Sequence, residues 1–134
     1  MKLQAFPKAE HLCLRNDIDQ LFNAGSRGTT AFPLRAVYRC VAASAGTPPV
    51  KVLLSVPKRR LKLAVDRNRA KRQLRDAYRR HKHLLTDALP AGTAVNLGFI
   101  WLADAPAGSA AVSERMQRLL QLIAERIGAT RPEP

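Results

Sequence analysis

The sequence predicts an α+β fold, a single-domain sandwich in which helices pack on a small central sheet. Three observations carry this. Two runs, Leu34 to Ala42 and Val50 to Val56, read as strands, and a third, Ala94 to Leu102, is apolar on both faces. Two longer segments, Asp66 to about His83 and Ala110 to Ile127, repeat their apolar residues at helical spacing. A length of 134 residues suits one core, and at 46% hydrophobic residues that core can be filled.

Asp17 to Ala24 is expected as a short helix with Ile18, Leu21 and Phe22 on one side, Asn16 or Asp17 capping its start and Gly25 stopping it. In Leu34 to Ala42 the residues alternate. Leu34, Ala36, Tyr38 and Cys40 face one way; Arg35, Val37, Arg39 and Val41 face the other. Ser44 to Pro49 is a loop by its Gly and Pro content. Val50 to Val56 follows as a strand, and Pro57 ends its ladder because proline has no N–H to donate. So short a loop between the two strands predicts an antiparallel hairpin.

Asp66 is the candidate N-cap of the next helix. Along it Ala70, Leu74, Ala77, His81 and Leu84 make a narrow apolar seam, with bases around the rest of the circumference. Ala94 to Leu102 suits an interior strand covered on both sides. After a loop from Ala105 to Ser109, the residues Val112, Met116, Leu119, Leu120, Ile123 and Ile127 define the last helix, up to Gly128. Residues 1–129 are expected to form one unit, followed by a disordered tail, 130–134.

Several classes are set aside by composition. No apolar run is long enough for a spanning helix. The first twenty residues carry Lys2, Lys8, Glu10, Arg15, Asp17 and Asp19 without an apolar stretch, so no signal peptide and a cytoplasmic location are expected. Cys13 and Cys40 are too few for a disulfide framework and are expected reduced and half-buried.

The net charge is +13, and it is concentrated. Residues 58–82 hold twelve bases and only two acids, Asp66 and Asp76, and so carry +10 of the total. The natural partner of such a segment is a polyanion, bound with a steep salt dependence. Anionic lipid fits less well, since the segment lacks the Trp, Phe and Leu face of an interfacial helix. Arg67, Lys71 and Arg75 share a helix face at i, i+4 and i+8; Asn68, Arg72 and Arg79 form a neighbouring row, flanked by Arg69. Like charges this dense destabilise a helix unless a partner neutralises them. Arginine outnumbers lysine, and its planar fork suits bidentate phosphate contacts. Asn68 can both donate and accept, which suits a base edge or a ribose hydroxyl.

The sixteen residues from Ala64 to Arg79, AVDRNRAKRQLRDAYR, resemble the Arg-Asn-Arg signature of the bacterial ribonuclease P protein family, with Asp76 in place of its usual Glu. Ser55-Val56-Pro57-Lys58-Arg59 resembles the family's strand end, although Pro57 replaces a common Ser. Leu12 to Gly25 resembles its opening helix, with Ile18 where Phe is frequent. The turn Arg60-Leu61-Lys62-Leu63 lacks the glycine often found there.

The resemblance implies a protein subunit of ribonuclease P. Such subunits bind a catalytic RNA and assist it in removing the 5′ leader from precursor tRNA. The chemistry would belong to the RNA and its Mg²⁺ ions, with the protein alone inactive. It also implies a left-handed β-α-β crossover and one more short strand, between Ser26 and Pro33. The residues agree with that division of labour. A protein nuclease needs clustered carboxylates to hold metal ions. Here Asp17 and Asp19 face different sides of a helix, His81 and His83 are two residues apart, and His11 stands alone. No catalytic residue and no metal ligand is assigned to the chain.

Arg67, Asn68, Arg69, Lys71, Arg72 and Arg75 are the expected contacts to the RNA subunit. The single-stranded leader is expected in a groove between the first helix and the sheet. Phe22 and Tyr38 either stack on its bases or serve as ordinary core residues, and Lys58 and Arg59 stand at a strand end where they can hold its phosphates. A ribosomal protein would share the size and charge but not the sixteen-residue pattern. A DNA-binding module would need a helix-turn-helix and a dimer surface, and neither is evident. Neither a DNA nor a membrane partner is expected.

Overall fold

The computed structural model describes residues 21, 27–43, 48–90 and 92–130, residues 128–130 as helical backbone alone. Strands β1 (Arg27–Ala31), β2 (Leu34–Ala42), β3 (Val50–Ser55) and β4 (Thr93–Trp101) form one sheet in the order β1-β2-β4-β3. Helices α1 (Ala64–His81), α2 (His83–Thr86) and α3 (Ser109–Thr130) complete the described elements, together with the helical residue Leu21. The expected α+β class holds, and β1 supplies the additional strand.

The apolar run 94–102 is an inner strand, as its two-faced pattern predicts. β4 pairs antiparallel with β2, from Leu34↔Trp101 to Ala42↔Thr93, and parallel with β3, from Val50↔Val95 to Ser55↔Ile100. The expected β2–β3 hairpin is therefore wrong, because β4 lies between those strands. A strand apolar on both faces is favoured in the sheet interior, where layers cover its faces and neighbours pair its backbone on both sides, and a β2–β3 hairpin would leave β4 at an edge. The chain passes the end of β4 instead, where Ala43 N donates to Gly92 O (3.0 Å) and Val95 N to Pro49 O (2.8 Å).

One face of the sheet carries the main core. Leu34, Ala36 and Tyr38 of β2, Val50 and Val52 of β3, and Val95, Leu97, Phe99 and Trp101 of β4 meet Leu74, Ala77 and Tyr78 of α1 and the apolar stripe of α3. The Tyr78 and Phe99 rings lie 6.2 Å apart, tilted by 52°. Burying side chains of this size contributes about 1.5–3 kcal/mol each, so the helices are held mainly by this layer. The opposite face has a smaller cluster, Leu21 on Val37 with Leu53 half-buried beside them.

Several boundaries differ from expectation. α1 starts at Ala64, and Asp66 lies in its first turn instead of capping it. Leu63 takes the cap position in extended backbone, and its carbonyl accepts from Arg67 N at 3.1 Å. Asp66 still stabilises the helix, since a carboxylate in the first turn faces its positive end. α1 stops at His81, and Lys82 turns the chain into the one-turn α2, whose Leu85 is buried. α3 continues past Gly128 to Thr130. Cys40 is exposed instead of half-buried, because β2 runs out from under its cover beyond Tyr38. The expected helix Asp17–Ala24 apart from Leu21 (with Asn16, Ile18, Phe22 and Gly25), His11, Cys13, most of the loop Ser44–Pro49 and residues 131–134 lie outside the described residues.

Candidate nucleic-acid interface

The burial of α1 sorts its side chains into two sides. Ala70, Gln73, Leu74, Ala77 and Tyr78 are buried. Asn68, Arg69, Lys71, Arg72 and Arg75 are all exposed, so five of the six expected RNA-subunit contacts share the solvent side of one helix. The helix pattern produces this directly, as the apolar seam turns inward and most of the bases are left outside.

Arg67, the sixth, is spent differently. Its Nη1 donates to Leu61 O (2.9 Å) and Lys62 O (2.8 Å), clamping the turn that precedes its own helix. The same turn is closed by Arg60 N and Leu61 N donating to Pro57 O, and Arg60 Nη1 reaches Asp104 Oδ1 at 3.1 Å. It holds Lys58 and Arg59 exposed where β3 ends. Arg67→Ala is expected to lower unfolding stability by about 1.5–3 kcal/mol, the range for hydrogen bonds from a charged donor. Chemical denaturation checks this against Arg75→Ala, expected within about 0.5 kcal/mol of the parent.

At the far end of α1 the charge is partly neutralised. Asp76 accepts from Arg79 Nη2 (2.6 Å) and Arg80 Nε (3.0 Å), and the Arg79 hydrogen bond above all holds its carboxyl below the ordinary carboxylate range. The exposed positive field is thus strongest over the first three turns, around Asn68 to Arg75. His81 Nε2 lies 2.9 Å from Ser113 Oγ and joins α1 to α3. Desolvation, then the charges of His83 and Arg80, push the His81 pKa below its ordinary value near 6.5. A histidine whose folded pKa is depressed contributes stability above its unfolded pKa and loses that contribution as pH falls. Stability should therefore fall more steeply from pH 7 to 5 in the parent than in His81→Gln, measured by denaturant titration at each pH.

The outer face of the sheet is a second candidate surface. Strand register places Arg35, Ile100 and Ser55 in one cross-strand row, Val37, Gly98 and Leu53 in the next, and Arg39, Asn96 and Lys51 in a third. Leu21 packs over the middle row. The result is an apolar centre with cations at both ends, and Lys58 and Arg59 follow three and four residues after Ser55. Gly28 of β1 leaves room for the Arg35 guanidinium, since a Cβ there would lie 3.2 Å from Arg35 Nη2.

Of the expected leader residues, Lys58 and Arg59 are exposed at the strand end, and Phe22 lies outside the described residues. Tyr38 is a core residue, 2% exposed on the face that meets the helices, and it cannot stack on bases in the outer groove. Arg35, Arg39, Lys51 and Asn96 received no role from the sequence. The alternation of β2 placed Arg35, Val37 and Arg39 together, and that was the available signal. Among the described residues no group of three or more His, Cys, Asp or Glu side chains is placed to hold a metal ion, and no helix is long and apolar enough to cross a membrane.

A mixed four-stranded sheet with a basic β-α-β crossover helix, exposed along one side, defines an α+β protein with a cationic face suited to a polyanion. The family model for ribonuclease P matches residues 6–125. The chain is 36% identical over 121 residues to the ribonuclease P protein component of Porphyromonas gingivalis, covering 90% of this chain and 87% of that one. It is 34% identical over 140 aligned positions to that of Chlorobaculum tepidum, covering 97% and 90%. Among solved structures, the Staphylococcus aureus RNase P protein superposes with a TM-score of 0.66 at 16% identity, over 87% of this chain and 96% of that one. The Thermotoga maritima protein does so at 0.63 and 20%, over 84% and 96%. The chain belongs to the ribonuclease P protein family, the protein subunits of the endoribonuclease that matures tRNA 5′ ends.

Proposed function

We propose that α1 docks on the catalytic RNA of ribonuclease P through Asn68, Arg69, Lys71, Arg72 and Arg75, while the outer sheet groove holds the 5′ leader of precursor tRNA. The observation that carries this is the segregation on α1, with every apolar residue of its seam inward and five polar or cationic signature residues exposed. Arg67 supports the interface from behind, by shaping the turn that presents Lys58 and Arg59. In the groove, Arg35 at one end and Arg39 with Lys51 at the other stand four strand residues, about 13 Å, apart, and can hold two non-adjacent phosphates of one strand over an apolar floor that sets no base preference. Tyr38 has no part in it.

The hydrolytic step belongs to the RNA, in the cytosol. Mg²⁺ bound mainly by the RNA and its substrate would supply the activated water and the leaving-group stabilisation, and no residue of this chain is assigned to hold it. The chain's own residues bind and orient RNA. Reconstitution tests the reading. Purified, RNA-free protein is expected to leave precursor tRNA intact in Mg²⁺, and adding the organism's ribonuclease P RNA is expected to restore cleavage at the mature 5′ end. Metal-dependent cutting by RNA-free protein, abolished by a point substitution in this chain, would overturn it.

A further inference from the structure

α1 and α3 lie side by side and leave an open cleft of about 550 Å³ between them. Arg69, Arg72 and Arg80 line one wall, and Ser109, Ala110 and Ser113 at the start of α3 line the other. Two polar staples fix the walls. Gln73, itself 9% exposed, donates from Nε2 to Ala107 O (2.8 Å) and Ser109 Oγ (3.1 Å), and His81 bonds Ser113 further along. The cleft is therefore formed before any ligand arrives, which removes an ordering cost from binding.

Its charge is one-sided. Asp76 is the acid in the lining, and both of its oxygens are engaged, by Arg79 and by Arg80. The first turn of α3 carries no acidic residue, so its backbone N–H groups add to the positive potential of the arginines. The volume leaves room for more than a single anion. Arg72 belongs both to the cleft and to the exposed side of α1, so a strand lying on that side runs on into the cleft.

We infer that this cleft seats a phosphodiester segment of the ribonuclease P RNA between α1 and α3, making the start of α3 part of the RNA interface. The inference rests on the docking of α1 proposed above and adds a second helix to it. Arginine forks grip the phosphate oxygens from one side, and the Ser109 and Ser113 hydroxyls meet the ribose or the same phosphate from the other. A phosphate held there is shielded from water on two sides, unlike one lying on the outer row of α1.

Ala110→Glu and Ala111→Glu form the test, since both residues are exposed and neighbours on α3, pointing roughly 100° apart around the helix. An acid in the first turn favours the helix, so both variants should fold. Ala110→Glu puts a carboxylate into the cleft and is expected to weaken binding of the RNA subunit about tenfold or more. Ala111→Glu is expected within about twofold of the parent. Equal affinities for the two variants would overturn the inference. If Ala110→Glu binds RNA normally while loss of Lys71, Arg72 and Arg75 does not, the docking of α1 stands and the cleft falls. If none of these changes weakens binding, the docking itself falls. Inorganic phosphate, followed through the amide signals of Ser109 to Ser113, supplies a further arm. Phosphate binding with RNA affinity unmoved by Ala110→Glu means a site for free anions only, and a loss confined to precursor tRNA moves the occupant to the substrate; either result overturns the inference.

Discussion

Replacing Lys71, Arg72 and Arg75 together by alanine is expected to lower affinity for the ribonuclease P RNA about a hundredfold at physiological salt, with the fold unchanged. All three side chains are exposed on α1, away from the buried seam of Ala70, Leu74 and Ala77. Exposed charges contribute little to stability, and removing like charges from one helix face relieves repulsion, so the melting curve should hold or improve. Each phosphate contact on a duplex releases about 0.9 of a counterion, which near 0.15 M salt is worth close to a factor of five in affinity. Three such contacts account for the hundredfold loss. They also require the slope of log affinity against log salt to become shallower by about three. Binding isotherms for the purified RNA subunit across a salt series measure both quantities. A folded triple variant with the parent affinity and slope would remove α1 from the interface. Arg67 is left intact in this design, because its guanidinium holds Leu61 O and Lys62 O and its loss would confound the result with a loosened turn.

That distinction marks what the sequence could convey. Arg67, Lys71 and Arg75 share a helix face in any projection, and nothing in their spacing separates a structural guanidinium from a free one. The separation arises from the turn before the helix, whose carbonyls come within reach only after Leu61 has entered the core. The interior position of β4 was legible because it is a local property, an unbroken apolar run with no polar face. Its neighbours were not legible. Whether β3 pairs with β2 or with β4 depends on the path of about forty residues through α1 and α2, and a short loop is compatible with either outcome. Tyr38 shows the same limit on a smaller scale. Alternation established that it shares a face with Leu34 and Ala36, but which face meets the helices follows from the location of the larger apolar surface, contributed by α1 and α3. Once that face is assigned, Arg35, Val37 and Arg39 must point outward, and the groove follows from residues the sequence had already grouped.

The groove supplies the other large expected effect. Removing Arg39 and Lys51 together is expected to weaken holoenzyme affinity for precursor tRNA with a leader of several nucleotides by about tenfold, while affinity for mature tRNA stays unchanged. The two residues flank Asn96 in one cross-strand row, Arg39 through the β2–β4 pairing and Lys51 through the β3–β4 pairing, so they present cations on both sides of one crossing point. A contact to single-stranded backbone releases about 0.7 of a counterion, near a factor of three to four at physiological salt, and two such contacts give the tenfold loss. Neither side chain belongs to the core that Tyr38, Phe99 and Tyr78 fill, so Arg39→Ala and Lys51→Ala should fold and bind the RNA subunit as the parent does. Leader length provides the internal control. The difference between variant and parent should vanish for a precursor with no leader and grow to its full value once the leader spans the rows from Arg39 to Arg35. Equal losses for precursor and mature tRNA would place the two cations against the tRNA body instead. An unchanged affinity for both would mean that the leader takes another path, and the outer face of the sheet would then have no part in substrate selection.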